Sequence, residues 1–420
     1  MSIPKRNQAL TEAGTPGLNV QNGFILDDFI KNLQGEKARK TYLEMSSNDP
    51  TVGALLFAIQ NLISQVKWVP VAQTDSAADQ AAADFVVENM NDMEQTWSSF
   101  ISEAVSFLTY GFSWHEIVYK IRDIKQSKYD DKKIGWKKIP SRPQSTIFQF
   151  VFDDDTGELE AAVQLDPKTF VKYDIPLSKS ILFRTTTQKD NPEGRSILRN
   201  AYRPWFFKKK IEEIEAIGIE RDLAGFPLMS VPIKILSSAA SAAEQALAGQ
   251  CLSLVQNIKR NNQEGAVIPQ EFDDNGNPKY KLELLSSGGK RNFDTNKIIA
   301  RKNNEILSTA LADFVSLGHE SNGSYALSSD KTKLFAMAIA AWVTKLAEEM
   351  DKNLIGPILA LNNMPGVCYF KTSDIEKQDL DDLSNFITRL GKSGFLTPTP
   401  ATEDELRKLA GLPLMTEETP

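Results

Sequence analysis

The chain runs to 420 residues, with 48 Lys or Arg against 55 Asp or Glu and a formal net charge of -7. That acidity argues against tight, non-specific nucleic-acid binding, which depends on cations displacing counterions, but it leaves room for a DNA partner that slides. A 41% hydrophobic composition is globular rather than disordered, and the length suits roughly two or three domains. The two cysteines, Cys251 and Cys368, lie far apart in sequence and point to a reducing compartment with free, buried thiols. Met1–Val20 is polar and lacks an apolar leader core, and the longest apolar stretch, Leu334–Val343, is about half a membrane span. The expectation is a soluble chain made in a cytoplasm, with no membrane partner.

In chain order, the first 35 residues read as an arm, with Gly14, Pro16, Gly17 and Gly23 among polar residues. Asp49-Pro50 is a helix start, and Val52, Leu55, Leu56, Ile59, Leu62, Ile63 and Val66 then mark one buried helical face. Asp75–Met90 is Ala-rich and predicted helical. Trp97, Phe100, Ile101, Ala104, Val105 and Leu108 describe another amphipathic helix, stopped by Gly111. Phe112–Ile121 has strand composition, and Ile147–Phe152 with Leu159–Leu165 flank a turn at Asp153–Gly157. The three aspartates of that turn lack the ligand spacing and closing glutamate of a calcium loop.

From Arg195 to Ala224 the pattern is a long helix, with Pro204 predicting a kink or a fresh start. Leu228–Ile235 reads as a strand and Ser238–Ile258 as a helix. Ala266–Phe272 and Lys279–Leu285 read as a hairpin around Asp274, Asn275, Gly276 and Asn277. A second long helix is expected from Asp294 to Leu317. A Gly-flanked loop follows, and then a third long helix over Ser328–Ile355, striped by Leu334, Phe335, Ala338, Ile339, Trp342, Leu346 and Met350. The tail from Lys371 carries ten Asp or Glu against six Lys or Arg. Thr402 with Glu405 forms a capping box within it.

Catalytic inventory is thin. With His115 and His319 as the only histidines and two separated cysteines, zinc spacing and a nucleophile triad are both absent, and His115 reads as a packed strand residue. Gly391-Lys392-Ser393 fails as a phosphate loop because Phe386 stands where a glycine is needed; Gly288-Gly289-Lys290 is followed by Arg291 and fails too. No enzyme activity and no cofactor are expected.

Several local motifs, taken in order, resemble the portal proteins of tailed double-stranded DNA phages, and the Mu-type branch in particular. They are Tyr42-Leu43-Glu44-Met45 with Asp49-Pro50, Trp68, and Tyr110-Gly111-Phe112 running into Glu116-Ile117-Val118. Asn191-Pro192-Glu193-Gly194-Arg195-Ser196 continues through Ala201-Tyr202-Arg203-Pro204-Trp205 to Glu220-Arg221-Asp222, and Gly323-Ser324-Tyr325-Ala326-Leu327 leads into Asp330. The likeness spans approximately Lys37–Leu361.

What the resemblance implies is an α+β portal fold: an arm (1–36), a wing (37–194), a first stem helix (195–225), a clip (226–290) and a second stem helix (291–317). A tunnel loop (318–327) precedes a long helix returning to the wing (328–372), and a short helical crown and tail (373–420) end the chain. The implied function is a ring, expected to be dodecameric, at one capsid vertex, through which DNA is packaged and ejected. The large terminase, a head–tail adaptor and the major capsid or scaffolding protein are the implied partners, with the virion as location and the host cytoplasm during assembly. Gly318, His319, Glu320, Ser321, Asn322, Gly323, Ser324 and Tyr325 would face DNA. Lys297, Arg301, Lys302 and Lys331 are candidate lumen cations, and Asp274–Asn277 is the candidate partner-binding hairpin. Two other readings keep a place. Another ring-forming connector or minor capsid protein would lack a two-helix stem around a clip, and a metal-dependent nucleic-acid enzyme would need a metal cluster or phosphate loop.

Overall fold

The computed structural model describes residues 14–154, 156–224, 226–257, 267–268, 270–285, 294–312 and 325–373, together with positions 403 and 407. The chain opens with a short hairpin, β1 (Val20–Gln21) and β2 (Phe24–Ile25), and continues through α1 (Gly35–Asn48), α2 (Pro50–Ser64), β3 (Trp68–Ala72) and α3 (Ala77–Asp92). Next come α4 (Trp97–Ala104), α5 (Ser106–Tyr110), β4 (Phe112–Glu116), β5 (Val118–Ile121), β6 (Ile134–Lys138) and β7 (Ser141–Arg142). Four more strands follow: β8 (Ile147–Phe152), β9 (Leu159–Leu165), β10 (Lys172–Pro176) and β11 (Ser180–Arg184). The middle of the chain gives α6 (Tyr202–Ala224), β12 (Phe226–Ser230), α7 (Ala242–Asn257), β13 (Lys281–Leu285) and α8 (Thr295–Ser308). It closes with α9 (Tyr325–Met350), one π-helical stretch (Asp351–Ile355), α10 (Gly356–Leu361) and β14 (Cys368–Thr372). Two compact units result, one of Met1–Ala201 with Leu307–Pro420 and the other of Tyr202–Ile306.

In the first unit, local chemistry fixes the helix ends. Asp49 Oδ1 accepts from the Thr51 and Val52 amides at 2.9 and 3.1 Å, which caps α2 with Pro50 at its first turn. Ser76 and Thr96 cap α3 and α4 in the same way. Gly111 takes φ +97 and donates its amide to Phe107 O at 2.7 Å, so α5 stops there. The helix expected over 97–108 is broken at Val105 into α4 and α5, and the strand expected over 112–121 is interrupted at Ile117.

β4 lies between β11 and β7 and is buried along almost its whole length, because both of its faces meet a core. Phe112 and Trp114 face a smaller cluster with Ile147, Phe150, Ala162, Ile175 and Leu182. The opposite face belongs to the main core, where Ile59, Ile63, Phe100, Trp136, Phe183, Ile339, Leu346, Met350 and Phe370 meet. α2 and α9, far apart in sequence, are thereby joined in one core. The arm read from the sequence is shorter than expected: β1–β2 is paired, and Ile25 and Leu33 are buried against this unit.

In the second unit β12 pairs antiparallel with β13, from Phe226↔Leu285 to Ser230↔Lys281, and α7 packs on β12. This corrects the expected pairing of 279–285 with 266–272. The Asn-Gly turn signal is local, whereas strand partnership is decided by β12, the apolar segment Phe226–Ser230, across fifty intervening residues. Between the described residues of the expected hairpin, a single bridge remains, Phe272↔Pro278. Pro204 falls in the first turn of α6, so it marks a fresh helix start. α8 ends at Ser308, earlier than expected, and Leu311 then takes φ +58.

Candidate functional site

α8 carries three of the candidate cations read from the sequence, and α6 carries an apolar surface that the sequence reading did not single out. On α6, Phe206, Phe207, Ile214 and Ile217 are all exposed, Ile214 to 67%. At 3.6 residues per turn they fall within an arc of ~100°. Arg203 and Lys210 lie on the same side, with Arg203 beside the Phe207 ring at 5.9 Å and Lys210 paired to Glu213 at 2.7 Å. Trp205 is buried, as the inward face of an amphipathic helix requires. On α8 the candidate cations have acidic neighbours one turn away. Lys297 is 3.4 Å from Asp294, Lys302 is 2.7 Å from Glu305, and Arg301 is 3.7 Å from the same carboxylate. Thr295 Oγ1 donates to Glu215 Oε1, which ties the start of α8 to α6. Lys331 lies in α9, and its side chain is outside the described residues.

The turn at Asp274–Asn277 is built by a residue the sequence reading missed. Asp273 Oδ1 accepts from the amides of Asn275 and Asn277 at 3.0 and 2.7 Å, and Gly276 N donates to Asp273 O at 3.0 Å. These donors, the Asn277 amide foremost, hold the Asp273 carboxyl below its ordinary range. Gly276 takes φ +82, a conformation that glycine adopts without strain. The signal was present: an Asp side chain in a turn commonly accepts from the backbone amide two residues on. Of the candidate DNA-facing loop, Gly318–Ser324 lie outside the described residues, and Tyr325 opens α9.

Two motifs separated by eighty residues come together within the first unit. A Cβ on Gly111 would stand 2.3 Å from Glu193 O, and one on Gly194, at φ +56, would stand 2.3 Å from Gly111 O. The Tyr110-Gly111-Phe112 and Asn191–Ser196 segments are therefore backbone against backbone. Arg39, on α1, donates to Glu193 Oε1 at 2.6 Å and to Ile147 O at 2.9 Å. Burial pushes the Glu193 carboxyl above its ordinary range despite this guanidinium. Ser196 Oγ donates to Thr109 O at 2.5 Å and accepts from Leu198 N at 3.0 Å. Arg199 pairs with Asp28 through two nitrogens, and Lys189 reaches Asp27 at 2.7 Å. These residues border a cavity of about 280 Å³. The arrangement is mechanical: it fixes the chain that runs on toward Tyr202.

Chemistry adds little to this. His115 is fully buried, edge-on to Phe100 at 5.4 Å and to Phe183 at 5.7 Å, which agrees with a packed strand residue. Cys251 and Cys368 are buried and free. Among the described residues no three His, Cys, Asp or Glu side chains gather as metal ligands, and no helix is long and apolar enough to cross a membrane.

Comparison with known proteins gives the same architecture. The chain is similar to a chain of the neck of an empty gene transfer agent particle computed with C6 symmetry, at 11% identity and TM-score 0.55, covering 90% of this chain and 95% of that one. It is similar to a chain in the virion of the native particle, with TM-score 0.53 at 11% identity and 90% and 94% coverage. The neck of the native particle computed with C12 symmetry gives TM-score 0.54 at the same identity, with 90% and 94% coverage. At that identity the likeness is one of fold. The family model for the portal protein of Mu bacteriophage matches residues 39–412. Spanning nearly all of the chain, that match places it in the family: the chain belongs to the Mu-type phage portal proteins and is a portal connector.

Proposed function

We propose that copies of this chain close into a ring, of twelve subunits, at one capsid vertex, and that double-stranded DNA passes through it during packaging and ejection. The exposed apolar face of α6 carries this reading. Four large apolar side chains along one helix leave a single chain with a surface that calls for a partner. In a closed ring each interface repeats, so one patch and its complement suffice for all subunits. The C12 symmetry used for the similar neck structure supports the number.

In the same reading, α6 and α8 are the stem, the β12–β13 unit with the Asp274–Asn277 turn is the clip, and residues 37–194 form the wing. Gly318–Ser324, with Tyr325 at the start of α9, is the tunnel loop, meeting DNA with mainly polar side chains. The clip engages the large terminase during filling and a head–tail adaptor afterwards, and capsid or scaffolding protein meets the outside of the ring. Local pairing of Lys297, Arg301 and Lys302 with acids suits a channel in which unpaired cation rings would hold phosphates and stall the duplex. Electron micrographs of purified protein test the proposal. Rings with a central channel are expected, and Ile214→Glu with Ile217→Glu is expected to abolish them while the far-ultraviolet spectrum stays unchanged. A chain that stays monomeric at all concentrations and with capsid protein present refutes it.

A further inference from the structure

β14 lies antiparallel to β3, with Tyr369 opposite Val71 and Lys371 opposite Val69. Trp68, Pro70, Cys368 and Phe370 point inward and are buried. The outward positions should be polar on a strand pair that faces water. Instead four of the five are apolar, Val69, Val71, Val367 and Tyr369, with Val69 50%, Val367 51% and Tyr369 43% exposed, and Lys371 is the fifth. An apolar outer face on a two-stranded sheet is a surface that wants a cover.

The chain itself leaves from this sheet. Ser373, next after β14, donates its amide to Lys67 O at 3.1 Å and accepts from Lys67 N at 3.0 Å, so the tail starts at the Lys67–Lys371 end of the face. From there the sequence turns acidic, with Asp374, Glu376, Asp379, Asp381 and Asp382, against exposed Lys67 and Lys371. Leu380, Leu383, Ile387 and Leu390 then follow at the three- and four-residue spacing of one helical face. A helix from Leu380 to Leu390 would rise about 15 Å. The outward row from Lys371 back to Val367 runs about 13 Å. Length, polarity and the point of departure agree.

We propose that the tail of the same chain folds back over this sheet, laying Leu380, Leu383, Ile387 and Leu390 on Val69, Val71, Val367 and Tyr369, with its acidic lead-in beside Lys67 and Lys371. The crown is then docked on the wing of its own subunit and moves with it. The inference concerns contacts within one subunit and does not depend on ring formation.

Cysteine pairs in the full-length chain test it, with Cys251 and Cys368 replaced by Ala. Val69→Cys with Leu383→Cys, and Tyr369→Cys with Ile387→Cys, are oxidised mildly and mapped by peptide mass. Most chains should carry the intrachain disulfide. Absence of an intrachain link in both pairs, or links only between chains, overturns the proposal, the second outcome assigning the face to a neighbouring copy. As a separate readout, Leu383→Asp with Ile387→Asp should speed hydrogen exchange across 67–73 and 367–373 by tenfold or more. Unchanged exchange there also overturns it.

Discussion

His115 makes the chain acid-sensitive in a way that one substitution should remove. The imidazole is fully buried between Phe100 and Phe183, and neither ring nitrogen completes a hydrogen bond. Burial, only partly offset by the Ile139 backbone, lowers its pKa from 6.5 to about 4. The unfolded chain therefore takes up this proton near pH 6.5 and the folded chain only near 4. Stability from this group is complete above the unfolded value and is lost as pH falls toward the folded one. By linkage the loss reaches about 2–3 kcal/mol at pH 4.5. His115→Leu keeps an apolar side chain in the aromatic cage and deletes the titration. Urea unfolding of both proteins at pH 7 and pH 4.5, followed by tryptophan fluorescence, gives the comparison. Wild type should lose about 2–3 kcal/mol more than the variant between the two pH values. Other titrating groups are common to both proteins and cancel. Equal losses would show that the imidazole can be protonated in place, and the account of its burial would fail.

Other perturbations follow from single contacts. Asp49→Ala removes the side-chain cap of α2 and should cost about 1 kcal/mol in chemical denaturation, with a serine at that position restoring most of it. Gly366→Ala places a Cβ 2.0 Å from the Ala78 backbone oxygen, and a drop of about 1–3 kcal/mol or more is expected in melting experiments; an unchanged melt contradicts the packing there. Lys120 sits 2.9 Å from Asp92 Oδ2, with both side chains under 5% exposed. Lys120→Met should cost about 3–5 kcal/mol, because it leaves a buried carboxylate short of its counter-charge, and adding Asp92→Asn should recover part of that. Asp28→Asn weakens a two-point pair with Arg199 whose side chains are only 20% and 13% exposed, so it should cost more than the ~1 kcal/mol of a surface ion pair and respond little to salt.

What the sequence made legible was what local rules govern. Asp49-Pro50, Gly111 and Pro204 announce helix boundaries through their own backbone chemistry, and each stands where that chemistry predicts. The partner of β13 was not legible, because a turn signal at Asn275-Gly276 is local while β12 lies far back in the chain. Nor was the pairing of Gly111 with Gly194: each glycine advertises an unusual φ, but only the fold shows that the two backbones exclude any Cβ between them. Arg39 was missed for a related reason. On α1 it reads as one more helix cation, and its role comes from Glu193 and the Ile147 carbonyl, which no spacing rule connects to it. The α6 surface shows the same limit from the other side. Phe206, Phe207, Ile214 and Ile217 lie opposite the buried Trp205 and Lys208, and a periodicity reading that assigns one face to the core and the other to water has no place for an apolar outer face. In the proposed ring a neighbouring copy covers this outer face, and for that reason the α6 substitutions are expected to bear on ring assembly rather than on the stability of the single chain.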